Sequence, residues 1–211
     1  MTSAAVATRG DHDVTDLPWV IRAGVRLGIL EAVLVLLYSL ADRFLPGPLE
    51  LVVCAVVLVA GIAAVTLLPG IWTRARTIEG IAGAAGIGLM ATVVFLLIDV
   101  ALLQPFGIYT NRWRAIGGGA NWWYHPIWWM VGTFMPWMGA WILANQAEKN
   151  GGRVSPLGAI GLALGLAVVV AVLAIVLHFP GADWGIGTFG VAFLPGLLLA
   201  LLVSLLGSRR A

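Results

Sequence analysis

Few side chains in this chain could do chemistry, and most of them fall in one stretch. It runs from Asp99 to Trp141 and reads DVALLQPFGIYTNRWRAIGGGANWWYHPIWWMVGTFMPWMGAW. Asp99 sits in an otherwise apolar run, where an ionisable group costs at least ~2.5 kcal/mol on membrane-insertion scales. Such a cost calls for a partner or a use. Arg112 and Arg114, in the segment after it, are the natural counter-charges, and a bridge to either would pin that loop to the helices. The same carboxyl could otherwise bind a ligand or handle protons.

Seven of the ten tryptophans also lie in this stretch. Trp122 and Trp123, beside Tyr124 and His125, have the composition of an aromatic belt at a membrane–water interface. Trp129, Thr133, Trp137 and Trp141 recur at every fourth position and so form one row along a helix. The row could line a slot for a flat or isoprenoid-like molecule, or pack against a neighbouring helix or subunit. Pro136 deprives the carbonyl of Gly132 of its helical donor, which would give an apolar slot one polar anchor. The Thr133 hydroxyl is near enough in sequence to serve that carbonyl. Gly117, Gly118 and Gly119 let the preceding loop bend sharply.

The other reactive side chains are sparse. His125 opens the fourth helix and His178 closes the fifth, but zinc wants three or four ligands and haem an axial histidine within the helices. No HxxxH or HExxH spacing supports either, so no metal and no cofactor is expected. Cys54 is the only cysteine, which rules out an intrachain disulfide. There is no nucleophile elbow, no Walker motif and no paired carboxylates. Glu31 falls toward the inner end of the first helix, five residues beyond Arg26, and reads as a structural group reaching the headgroups or an inner-face arginine. With Glu31 so placed, the middle of the bundle holds no ionisable group. That argues against a proton- or sodium-coupled carrier, which keeps its coupling residues there.

The elements that must position these residues can be read from composition. The chain has 211 residues, 61% of them hydrophobic and 10% charged, with a mean hydropathy of +0.99. A soluble domain carries roughly 25% charged residues to wet its surface; this chain must be solvated by bilayer instead. A net charge of +2 might suggest nucleic acid, but the basic residues stand singly at helix ends and form no patch, so no nucleic-acid partner is expected. The expected fold is all-α: a polar tail over residues 1–17, then a polytopic domain over 18–208 with six transmembrane helices. Their bounds are about 18–43, 49–68, 78–103, 126–145, 156–178 and 185–206, each near the ~20 apolar residues a bilayer demands. Asp16 or Thr15 caps the first helix ahead of Pro18, Pro69-Gly70 ends the second, and Ser155-Pro156 opens the fifth.

The basic residues set an orientation. Arg9, Arg22, Arg26, Arg74, Arg76, Lys149, Arg153, Arg209 and Arg210 fall on one side; Arg43, Arg112 and Arg114 fall on the other. Both termini are therefore expected in the cytoplasm, with the long loop of residues 104–125 facing outward, in a bacterial inner membrane. Two rows of small residues mark helices 3 and 5 as the tight centre: Gly80, Ala84 and Gly88, and Ala159, Ala163, Ala167 and Ala171, with Gly161 and Gly165 on a second row.

The functional expectation is an integral membrane protein, non-catalytic in its leading form, that uses the Trp-rich loop and helix 4 to bind a lipophilic molecule or a partner subunit. Its candidate residues are Asp99, Arg112, Arg114, Trp122, Trp123, His125, Trp129, Thr133, Trp137 and Trp141. The alternative is a small membrane enzyme or carrier acting on a lipid-like substrate at the outer leaflet.

Overall fold

The computed structural model describes residues 14–110 and 121–206, and these are all-helical. Six helices occur in order: α1 (Leu17–Phe44), α2 (Gly47–Trp72), α3 (Ile78–Ile98), α4 (Asn121–Lys149), α5 (Pro156–Val176) and α6 (Ile186–Leu205). A π-helical turn, Asp99–Leu103, extends α3. Four segments are long and apolar enough to cross a membrane: Gly47–Trp72, Ile78–Leu103, Pro156–Val176 and Gly187–Leu205. α1 and α4 are longer, at 28 and 29 residues, but more polar.

The helix starts reflect local chemistry. The Asp16 carboxylate accepts from the Trp19 amide at 3.1 Å, with Pro18 in the first turn of α1. The Ser155 hydroxyl accepts from the Gly158 amide at 3.2 Å ahead of α5. Each thereby satisfies one of the orphan N–H groups of a helix start. The end of α5 is a Schellman turn: the Phe179 amide donates to the Ala174 carbonyl (2.8 Å) and the His178 amide to that of Ile175 (3.0 Å). His178 takes the left-handed position, at φ 54°, where glycine is usual.

Three boundaries differ from expectation, one of them the end of α4, which runs past Asn145 to Lys149. α2 does not stop at Pro69 but runs on to Trp72. The next turn keeps a ladder bond, the Thr73 amide and hydroxyl both donating to the Pro69 carbonyl at 3.0 Å, and Gly70 is seated against Ala140 of α4. α4 begins at Asn121, ahead of Pro126, so Trp122, Trp123 and His125 belong to its first turns rather than to a loop.

Close packing relies on missing Cβ atoms, as expected where lipid offers helices no hydrophobic reason to associate. Gly24 and Gly28 of α1 meet α3, where a Cβ on Gly24 would lie 2.5 Å from Met90 Cβ and one on Gly28 would lie 2.6 Å from the Ala91 carbonyl. Gly88 of α3 meets Gly132 and Pro136 of α4, and Gly139 of α4 meets the Thr66 backbone of α2. Gly196 of α6 rests on Ala167 of α5. The expected rows are both buried: Gly80, Ala84 and Gly88 on α3, and Ala159, Ala163, Ala167 and Ala171 on α5. Gly161 and Gly165 are not part of any seam; a Cβ on either would meet nothing.

The centre is α4 rather than α5. α4 touches α2, α3, α5 and α6, whereas α5 packs chiefly on α6 and turns Val168, Val169, Val172, Leu173 and Val176 outward. The two three-helix halves also differ in how they are built. In the first, the outer members α1 and α3 pair most closely; in the second it is the consecutive α5 and α6. Corresponding helices of the halves therefore do not keep corresponding neighbours.

Candidate functional site

Asp99 is fully buried at the point where α3 passes into its π-turn. A π-turn inserts a residue into the helical ladder and re-aims the side chains beyond it, and such turns recur at functional sites. Here it brings the chain back over its own end. The Gln104 side-chain amide donates to Oδ2 of Asp99 at 2.6 Å, and the Tyr109 hydroxyl donates to Oδ1. The segment is held further by Arg43 of α1, whose guanidinium donates to the Gly107 carbonyl at 2.8 Å. Ile108 and Tyr109 pack on a cluster that includes Tyr38, Cys54, Phe95 and Leu103.

The described partners of Asp99 are thus two neutral side chains, and sequence reasoning missed both. Opposite charge is the natural expectation for a carboxylate in an apolar run, whereas Gln104 and Tyr109 reach it only because of the π-turn. Arg112 and Arg114 lie outside the described residues. The side chains of Trp122, Trp123 and His125 do as well, although their backbone is helical.

The row of Trp129, Thr133, Trp137 and Trp141 does not stay on one face. Each four-residue step overshoots a full turn by about 40°, so the last member is rotated about 120° from the first. Trp129 and Trp137 are 39% and 42% exposed. Trp141 turns inward and packs on two core clusters, beside Ala140 and Ala144 and beside Met138 and Ile142. The Thr133 hydroxyl donates to the Trp129 carbonyl at 2.9 Å, not to Gly132. The Gly132 carbonyl freed by Pro136 faces α3, where only the absence of a Cβ on Gly88 leaves it room. Pro136 therefore shapes a helix crossing and anchors no slot.

Two further features were missed or misplaced. Glu31 does not reach a headgroup: it lies at the centre of the 28-residue α1, is only 6% exposed, and its Oε2 has no hydrogen-bond partner among the described residues. The signal was present in the sequence, because Gly24, Gly28, Glu31 and Val35 share one helical face. The middle of the bundle therefore does hold an ionisable group. Asn145 of α4 is fully buried and donates to the Ser204 hydroxyl of α6 at 2.8 Å, while that hydroxyl donates to the Leu201 carbonyl at 2.7 Å.

The two ends of the bundle carry different residues. At one, the Val14 amide donates to the Thr73 carbonyl (2.9 Å), Arg76 reaches the Gly152 carbonyl (3.4 Å), and Lys149 donates to the Leu206 carbonyl. At the other, Phe44, Phe106, Phe179 and Trp184 are all strongly exposed. A shallow groove of about 160 Å³ there runs between α5 and α6, lined by Val172, Ile175, Asp183, Trp184, Thr188 and Phe189. Among the described residues no three His, Cys, Asp or Glu side chains come together as a metal site. Compared with family models, with curated proteins and with solved structures, the chain matches none.

Proposed function

We propose that this is a six-span protein of a bacterial inner membrane that binds a lipophilic molecule on α4, between its outer end and its middle. Four apolar helices support the membrane setting. α1 and α4, each long enough to span with tilt, would complete six spans. The split of basic residues supports cytoplasmic termini, since Arg22, Arg26, Arg74, Arg76, Lys149 and Arg153 all fall at one end of the bundle. The segment between α3 and α4 then lies outside, next to the Trp-rich start of α4.

One observation carries the ligand reading. Trp129 and Trp137 are two turns apart and half-exposed on the helix whose other faces are enclosed by α2, α3, α5 and α6. Two indoles on one open face offer a flat apolar surface with two N–H donors, suited to an isoprenoid-like or ring-bearing lipid. Trp141, partly buried against the core, is no part of that surface.

The test is native mass spectrometry of the protein purified in mild detergent, with lipid extraction. A co-purifying lipophile should be retained by the unsubstituted protein, partly lost in Trp129→Ala and Trp137→Ala, and kept in both Trp→Phe variants. Retention unchanged in both alanine variants, or no bound lipophile at all, would leave these tryptophans as lipid-facing surface only.

A further inference from the structure

Among the described residues Glu31 and Asp99 are the buried carboxyls, and Glu31 differs from Asp99 in its setting. It sits at mid-helix, buried, with an oxygen that nothing among the described residues satisfies. Its surroundings contain no cation. α3, which packs on its face of α1, carries Glu79 and Asp99 near its two ends and no basic residue; α2 carries only Glu50, in its first turn. On α4, one layer behind, Glu148 and Lys149 close the last turn. On α1 itself Arg22 and Arg26 are exposed, Arg26 lying over the Trp19 ring at 5.9 Å, while Arg43 is spent on Gly107 and Asp42 lies beside it near the far end; the other titratable side chains on this stretch are the buried Tyr38, two turns on, and Cys54 of α2. A bare carboxylate in such a place has neither counter-charge nor donor, and neutralisation by a bound proton is the cheapest remedy.

The seam that holds Glu31 is also the one most dependent on close approach. Gly24 and Gly28, two turns and one turn before it on the same face, set α1 directly on α3 at Met90 and Ala91. Continued in register, that pairing puts Glu31 beside the turn of Phe95, with Asp99 one turn further toward the Tyr109 end.

We propose that Glu31 is a proton-binding site, and that loss of its proton loosens the α1–α3 seam. The O–H bond of the carboxyl breaks, the proton leaves to water, and a carboxylate remains. That carboxylate needs hydration, which the seam can supply only by parting. Neutral Glu31 and the closed seam are one state; charged Glu31 and an opened, wetted seam are the other. The inference stands apart from the lipophile-binding reading and survives its failure.

Two measurements on the full chain in liposomes test it. Dicyclohexylcarbodiimide, an apolar reagent for protonated carboxyls, should form an adduct on Glu31 at neutral pH and several-fold less at alkaline pH, read by peptide mass spectrometry. Protection of the α1 and α3 amides, taken relative to their base-catalysed intrinsic exchange at each pH, should fall over the same alkaline range in the unsubstituted protein and hold in Glu31→Gln and Glu31→Leu. An adduct whose yield ignores pH, or protection that falls equally in both variants, would overturn the proposal. Protection of Glu31 by sodium at constant pH would overturn it too, by assigning the site to a metal cation.

Discussion

The Tyr109 hydroxyl donates to the Asp99 carboxylate across ten residues of chain, and the π-turn between Asp99 and Leu103 makes the contact geometrically available. Removing a donor so that a buried acceptor is left bare costs about 1–3 kcal/mol. Tyr109→Phe should therefore lower thermal stability in detergent by an amount in that range. A cycle pairing it with Asp99→Ala should be non-additive, since either change removes the same bond. Additivity would mean that the carboxylate draws its support elsewhere, with Arg112 and Arg114 the next residues to pair with it.

Glycine positions separate seam from surface. Gly139→Ala drives a methyl into the Thr66 backbone, and Gly88→Ala drives one into the Gly132 carbonyl and Pro136. Overpacking of that kind costs about 1–3 kcal/mol. Gly161→Ala and Gly165→Ala meet nothing and should stabilise α5 by up to ~1 kcal/mol through helix propensity. Thermal melts of the four variants give the check, the first pair falling and the second holding or rising.

The Asn145–Ser204 bond ties α4 to α6 inside the bundle. Interhelical hydrogen bonds in membranes average about 0.6 kcal/mol and rarely exceed ~2. Ser204→Ala should cost about that much in a detergent melt. Asn145→Ala should cost more, because it also removes a buried side chain and leaves a void in the α4–α6 contact.

Orientation can be read with single cysteines in a Cys54→Ser background. Cysteine at Ala182 should react with an impermeant maleimide in intact cells, and cysteine at Ser3 or Asn150 only after permeabilisation. Thr73 is unsuitable as a reporter because it is fully buried. Labelling of Ser3→Cys and Asn150→Cys from outside would overturn the six-span arrangement with cytoplasmic termini.

Much of the fold was legible because helix signals are local. Asp16 with Pro18, and Ser155 with Pro156, announce helix starts through contacts spanning three residues. The buried alanine row of α5 and the Gly80, Ala84, Gly88 row of α3 need only helical periodicity to be seen. Where a neighbour intervenes, local signals mislead. Pro69 reads as a terminus until Ala140 is known to hold Gly70. A four-residue row of tryptophans reads as one stripe until its winding is set against the position of the core.

The sequence by itself determined that this is an apolar, helical chain of membrane type, with its helices begun and ended by nearby caps and prolines. Those properties depend on residues within a turn or two of each other and on total composition. Only the tertiary structure decided which polar groups are enclosed and with whom: Asp99 with Gln104 and Tyr109, Asn145 with Ser204, and Glu31 among the described residues with no one. The physical reason is that enclosure depends on helix rotation and crossing. Both are set by which glycines let two backbones meet, and that is a property of pairs of helices that no single segment carries.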